Sequence, residues 1–506
     1  MPLNLKDLIV VLFLSTIVFI LIKRTALIFC NERDFIRRRN AYYVLSCAAF
    51  LSPSFWVYAI VAVPALWMVG RRDTNPGAAY LFLLYVVPPV VVPTPIFGMR
   101  SFIDFNNQLL LSLLVVIPAM WRRKKSGALS NASRMQFVDW IFLVFGILSS
   151  VLYLHVLQSN GVPYPSTFTD FLRHVVVFMI VGFAPYFLLS RTSSSRQAML
   201  DYAAAFLIPG VVMSAIAIFE TLKGWLLYEV IPEYWGVASS ITSFLMRGNS
   251  LRAMASAGHS LALGYLLDVA FGIWLALSHY VPSRLTRVAI SVLLMLGLFA
   301  AYSRGPWACA VLIYFAFAIQ KPNALSGFAK ALVAAVAMAV VLALSPLGAK
   351  IAAVVPFLGG NVDVENIYYR ERLWDRIWML FQGSPLLGDQ FALSKMQDLR
   401  QGQGIVDFVN GYAAEMVSAG SVGLGLFLIF TLAILLKTLR AVRATKLADR
   451  QLGMVGAGLS SCILGTLFLW AFGGPTEVTL WALLALGLGF SHIAATYRAM
   501  PAKHTS

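Results

Sequence analysis

A chain of 506 residues could hold two or three soluble domains, but 59 % hydrophobic and only 12 % charged residues, with mean hydropathy +0.78, exclude that. Soluble folds run near a quarter charged, so most of this chain must face lipid. The net charge of +17 does not indicate nucleic acid, because the cations are scattered between apolar runs and form no basic domain; the scatter suits loops that meet anionic headgroups.

A bilayer core of about 30 Å needs roughly 20 apolar residues per helix. The first run, Asp7 to Ile22, has no small-residue cleavage site and flows into Lys23 and Arg24, so it reads as a retained transmembrane helix rather than a signal peptide. The stretch 41–69, interrupted by Ser52-Pro53-Ser54, predicts two short helices. Further spans are expected at 79–95, 108–121, 137–157, 170–189, 198–222, 259–280, 286–302, 305–319, 328–345, 416–436, 453–472 and 478–496. The expectation is an all-α, polytopic integral membrane protein of about 12–15 transmembrane helices. It divides into transmembrane helices over 1–345 with an outer loop at 223–258, a large outer loop with an amphipathic helix at 346–415, C-terminal transmembrane helices at 416–497 and a tail at 498–506. Cys30, Cys47, Cys309 and Cys462 lie in or beside apolar segments, without CxxC pairs or metal-type spacing, which indicates neither a disulfide framework nor a zinc site.

Placing loops 23–40, 71–73, 122–134, 191–196, 284–287, 321–330, 437–450 and the C-terminus on the cytoplasmic side gives that side 26 of the 39 Lys and Arg. Only Glu32, Asp34, Asp73 and Asp449 join them there, as the positive-inside rule demands. The outer loop 346–415 then carries 8 of the 22 acids. Connections usually run a handful of residues, so a loop of this length suggests function.

Four outer segments carry candidate chemistry. In Arg247 to Gly264, two arginines and His259 come to the start of a helix. The imidazole there suits a general base or acid, although a lone histidine at such a place is usually an interfacial residue bonded to backbone. Asp268, deeper in the same helix, is an ionisable group at membrane depth; such a group is either functional or a packed neutral carboxyl. The turn Tyr302-Ser303-Arg304-Gly305-Pro306 opens the next helix. A serine, an arginine and free N–H groups converge at that positive helix end, a site for phosphate or diphosphate; an arginine snorkelling to the interface has the same appearance.

In Tyr368 to Phe381, Leu373, Ile377 and Leu380 share a face with Trp374, Trp378 and Phe381 beside them, opposite Arg372, Asp375 and Arg376. This is the pattern of an amphipathic helix lying on the outer membrane surface, ended by Gly383-Ser384-Pro385. Arginines beside tryptophans suit a phosphate attached to sugar, or simply anchor an interfacial helix. Last, Asp407, Asn410 and Glu415 stand at the mouth of a helix whose Gly420, Gly423 and Gly425 allow close packing. No nucleotide-binding motif accompanies these segments. A donor used on the outer side, where no nucleotide is available, must already be activated and carried in the membrane.

The order of these segments resembles the O-antigen ligase and polysaccharide polymerase superfamily. The resemblance covers roughly residues 170–490 and rests on Arg252 to Gly264 with its GHS-LALG pattern, on Ser303-Arg304-Gly305, and on the loop RERLW, SPLLGDQ and VNGYAAEMVSAGSVGLG. It implies a multi-pass protein of the bacterial inner membrane that transfers or polymerises undecaprenyl-diphosphate-linked glycan at the periplasmic face, without cofactor or metal. A chain-length regulator and a flippase are the implied partners, and nucleic acid is not. Arg304, Arg252, Arg370, Arg372 and Ser303 would hold the diphosphate, and Asp407, His259 and Asn410 would serve catalysis. The family's ligases place a histidine where this chain has Val409, which favours polymerase over ligase and leaves the proton acceptor to Asp407, His259 or Glu415, or the transfer to arginine clamping alone. Transport of a lipid-linked glycan without chemistry is the competing class.

Overall fold

The computed structural model describes residues 2–94, 103–125, 134–152, 168–193, 195–237, 246–247, 250–321, 364–389, 392–400, 406, 408, 410–473 and 477–499. The expected span at 328–345, Asp407, Val409 and nearly all of the tail lie outside them. The chain is an all-α polytopic membrane protein. Among the described residues, seven helices are long and apolar enough to cross a membrane: Leu3–Phe29, Phe171–Thr192, Arg196–Lys223, Ser260–Tyr280, Gly411–Ala448, Arg450–Trp470 and Glu477–Ala495. Strand structure there is confined to two pairs of two-residue strands, Val92–Pro93 with Asp104–Phe105 and Met246–Arg247 with Ser250–Leu251.

Helix α1 (Leu3–Phe29) runs beyond the expected apolar stretch, through Lys23 and Arg24, to a turn at Cys30. There Asn31 opens α2 (Glu32–Leu51) by accepting the Arg33 N–H at 3.1 Å. The expected break falls at Ser52 to Ser54, and the Ser54 hydroxyl caps α3 (Phe55–Arg72). Helix α4 (Pro76–Leu83) stops well short of the expected 79–95; Pro88 and Pro89 have no N–H to continue a helix and bias the chain before them to extended backbone. Then come α5 (Asn107–Leu111), a π-turn segment (Ser112–Val116) and α6 (Ile117–Lys125) in line. Next are α7 (Phe137–Leu152), α8 (Phe168–Val177), a second π segment (Phe178–Phe183) and α9 (Ala184–Thr192). The central helices are α10 (Arg196–Lys223), short α11 (Val230–Tyr234), α12 (Ser260–Leu277), α13 (Arg284–Ala300) and α14 (Arg304–Ile319). After α15 (Val364–Gly383) follow α16 (Gly411–Ala448), α17 (Arg450–Trp470) and α18 (Glu477–Ala499). Helices α10, α12 and α17 form the middle of the bundle, with α16 and α18 packed on α17 and α13 and α14 on α12.

Charged groups gather one end of the bundle. Arg38, only 2 % exposed, donates to Asp73 at 2.9 and 2.8 Å and to Asp201 at 2.6 and 3.0 Å, and Asn75 adds a bond to Asp201 at 3.1 Å. Arg191 pairs with Asp139, which also accepts from Tyr186 at 2.8 Å. Arg196 reaches Asp449 at 2.9 Å, and Lys437 donates to Gln136 at 3.1 Å. Arg38, Asp73, Arg191, Arg196, Lys437 and Asp449 come from segments that the charge count placed together on the cytoplasmic side as loops. Arg38 and Arg191 correct that picture, because both are buried, and a buried guanidinium is tolerated only when carboxylates neutralise it. This is the basic end; the turns near 52–54, 88–94, 224–237, 250–259, 301–304 and 471–473 lie at the far end.

At the far end, α15 does not lay its apolar face on lipid. Tyr369, Leu373, Ile377 and Leu380 bury against Met396 and Leu399 of the turn Ala392–Leu399 and against Ala413 and Val417 of α16. Trp374 and Trp378 are left half-exposed on another face. The single apolar stripe of the sequence is therefore two: one seals a small core, the other faces outward. Helix α16 is broken at Gly420, whose φ of 65° and ψ of −165° are open to glycine. The turn Ser384 to Asp389 fills the break. Asp389 N–H donates to Val417 O at 2.7 Å, while the N–H groups of Ser421 and Val422 donate to Pro385 O at 2.9 Å and Leu386 O at 3.1 Å. Backbone groups that the break would strand are thereby satisfied, which accounts for the pairing of SPLLGD with the glycine-rich helix.

Candidate functional site

The N-termini of α12, α14, α16 and α18 meet at the far end around the C-terminal turn of α17. Helix α12 passes α14 so closely that a Cβ on Gly264 would lie 2.5 Å from Pro306 Cγ. Gly305 faces Leu469 and Phe472, Gly473 faces Leu261, and Gly411 lies against the Trp470 indole, where a Cβ would stand 2.6 Å from Nε1. The Tyr412 hydroxyl donates to Leu467 O at 2.6 Å. Each helix start carries roughly half a positive charge on free N–H groups, so the arrangement concentrates positive potential before any side chain is counted.

His259 is the N-cap of α12, and its Nδ1 accepts the Leu261 N–H at 3.1 Å. A nitrogen that accepts carries no proton, so the neutral ring assigned from this bond holds its hydrogen on Nε2. Burial and the nearby Arg252 guanidinium hold the imidazole down to about 4, from an ordinary 6.5. Near neutrality His259 is thus an uncharged N–H donor. This corrects its expected role as base, since a ring that gives up its Nδ1 lone pair to cap the helix has no free lone pair left to take a proton.

Arg252 and Arg304 flank a single backbone contact, Ala253 N–H to Ala300 O at 3.1 Å. Arg304 opens α14, and its Nε is buried without a hydrogen-bond partner among the described residues. Ser303 is the N-cap, 6 % exposed, and its hydroxyl makes no cap bond. Two non-glycine residues among those described have left-handed backbone, Ala255 (φ 46°) and Tyr302 (φ 44°). One lies just before His259 and the other just before Ser303, and strain of this kind costs about 1–3 kcal/mol and collects at functional sites. What holds Ala255 is Glu220, whose carboxylate accepts from Leu227, Met254 and Ala255 N–H at 3.0, 3.0 and 2.8 Å. Behind the Met254–Gly258 strip is a cavity of about 220 Å³, lined by Pro88, Pro89, Leu226, Pro232 and Met254 with Glu229 at its edge.

Of the residues singled out from the sequence, His259, Arg252, Arg304 and Ser303 come together here. Asn410 borders them, and its Oδ1 is occupied accepting the Tyr412 and Ala413 N–H groups at 3.0 and 3.2 Å as the cap of α16, which leaves Nδ2 as a donor. Its oxygen therefore cannot also take a proton, and any part it has in catalysis is that of a donor. Arg370 and Arg372 are exposed on α15, and no described contact joins them to Arg304. Asp268 is fully buried among α12, α14 and α17 beside Cys309, away from the site. Asp407 lies outside the described residues. Sequence reasoning missed Glu220, Trp470 and Glu477. Glu220 carried a signal, an acid inside an apolar run; Trp470 and Glu477 carried none, because only the meeting of helix ends makes them neighbours.

Comparison with protein-family models finds no match, and comparison with curated proteins finds none.

Proposed function

We propose that this chain is a metal-independent glycosyltransferase of the bacterial inner membrane, polymerising undecaprenyl-diphosphate-linked oligosaccharide into surface polysaccharide at the periplasmic face. The observation that carries this reading is Arg304, a half-buried arginine at a helix start whose Nε is buried and unused among the described residues, at the same bundle end as Arg252 and His259. Such a cluster fits an anion held by fork and backbone. In glycosyl transfer the diphosphate leaves with the bonding electron pair, and donors already aimed at it stabilise the departing charge. Val409, in the position where the resembling ligases carry histidine, is what favours polymerisation over transfer to a separate acceptor. A transporter would need charged groups along a path to the basic end, where Arg38, Asp73, Asp201, Arg191 and Asp139 are already paired with one another.

The test is to delete the gene and profile lipid-linked and surface glycans, then complement with Arg304→Lys. Single repeat units accumulating on lipid support polymerisation, long lipid-linked polymer supports ligation, and unchanged glycans overturn both. Lysine keeps the charge and loses the planar fork, so the variant should lose about 10²–10³ in transfer rate at normal protein level.

A further inference from the structure

With His259 fixed as a donor and Asn410 committed to capping, the described part of the site holds ample positive charge and one well-placed acceptor. We infer that Glu415 takes the proton from the acceptor hydroxyl during transfer, an assignment that rests on the glycosyltransferase reading above. Gly411 and Glu415 are four apart on α16, so they share a face. Gly411 lies against Trp470, which turns Glu415 towards the same α17 turn that touches Gly305 and Leu261. The carboxylate is partly open, and no hydrogen bond or ion pair engages it among the described residues. Glu477, first residue of α18, is near enough for its charge to act on Glu415 and is itself exposed, with no hydrogen bond or ion pair among the described residues.

Donors at the same group of helix ends are equally unused: Arg304 Nε and Trp470 Nε1 are buried without partners among the described residues. Buried donors are rarely left so, and a bound molecule supplying phosphate oxygens to the arginine and a hydroxyl to the carboxylate satisfies both sets. Space for the carboxylate is kept by Gly423, where a Cβ would stand 3.2 Å from Glu415 Oε1. The break at Gly420, pinned by the Ser384 to Asp389 turn, fixes this short outer segment of α16 independently of the rest of the helix.

The step balances without a further reactant. A Glu415 carboxylate oxygen accepts the hydroxyl proton as the hydroxyl oxygen bonds to the anomeric carbon. The bond from that carbon to the diphosphate oxygen breaks, and its electron pair leaves with the diphosphate, towards Arg304 and the His259 N–H. Glu415, now neutral, returns the proton to water at the open mouth beside Glu477.

The experiment uses full-length protein in lipid vesicles, with the glycolipid diphosphate fraction extracted from the gene-deleted source strain as probe. Release of polyprenyl diphosphate and growth of the glycan are followed together. Glu415→Gln should lose about 10²–10⁴ in rate, the usual worth of a positioned base, while Glu415→Asp keeps part of it. Glu415→Ala should recover rate on addition of formate, which a merely structural role would not allow. A Glu415→Gln rate within about threefold of wild type, or no formate rescue of a folded Glu415→Ala, overturns the assignment and leaves the glycosyltransferase reading standing. No release of diphosphate by the wild type overturns that reading and the assignment with it.

Discussion

His259→Asn separates the two jobs that one side chain does at the start of α12. Asparagine is among the best N-cap residues, so its carbonyl should replace Nδ1 as acceptor of the Leu261 N–H and keep the helix start intact. The shorter side chain does not carry an N–H out to where Nε2 stands. His259→Ala removes both functions. Loss of a cap costs about 1 kcal/mol, which for a chain of 506 residues moves the thermal midpoint by only about 1 °C. Loss of a hydrogen bond to a charged oxygen costs about 1.5–3 kcal/mol, or about 10–10² in rate. The asparagine variant should therefore match wild type in thermal unfolding in detergent and fall about 10–10² in diphosphate release, whereas alanine shows both losses. The pH behaviour follows from the folded value near 4 against the ordinary 6.5. The unfolded chain binds the extra proton between these values, so the stability due to the neutral ring is complete above about pH 6.5 and is lost as pH falls towards 4. The effect is at most about 3 kcal/mol, less because the ring is partly open to solvent. A neutral donor at His259 adds no decline of its own through pH 6 to 7. A decline there that vanishes in His259→Asn would refute the tautomer, and an asparagine variant at full rate would remove Nε2 from the reaction.

Three further outcomes test the frame around the site. Arg38→Ala leaves Asp73 and Asp201 facing each other without their cation, so it should cost about 3–5 kcal/mol, read as a lower detergent melting midpoint and reduced membrane yield; the double change Arg38→Leu with Asp73→Asn should recover part of the loss. Gly420→Ala puts a Cβ on left-handed backbone and against Leu386 O, so it should cost about 1–3 kcal/mol and raise protease cutting near Ser384 to Asp389, whereas Gly425→Ala, with open space around it, should do neither. With the native cysteines replaced, Gln382→Cys on α15 should react with an impermeant thiol reagent from the periplasmic side, and Leu447→Cys, 93 % exposed at the basic end, should not; the reverse pattern would invert the molecule and detach the site from the periplasmic face.

The helical frame was legible because lipid leaves so few alternatives. Apolar runs, the break at Ser52 to Ser54 and proline at the start of α14 each act through the local backbone, and each reads directly from sequence. What misled was charge. Arg38 and Arg191 sit in segments whose composition says surface loop, yet Asp73, Asp201 and Asp139 neutralise them inside the bundle. A cation's sidedness can be read from counts, but its depth depends on partners that arrive from elsewhere in the chain. The tryptophan-rich helix misled for a related reason. Leu373, Ile377 and Leu380 look like one lipid-facing stripe until Met396 and Leu399 appear beneath them.

The same distinction governs the candidate site. The half proposed to hold an anion was visible because serine, arginine and proline at a helix start act within a few residues of each other. The acceptor half was visible only as a choice among Asp407, His259 and Glu415, and what could not be read was which polar side chains are taken by backbone bonds. Asn410 and His259 each answer unpaired N–H groups at a helix start, an obligation as strong as the catalytic one a reader would assign them. A polar residue just before a transmembrane helix therefore owes its side chain first to the cap. Glu415 lies past the first turn, where the N–H groups already have carbonyl partners and no such debt exists. That freedom, rather than its residue type, separates it from Asn410 five positions earlier.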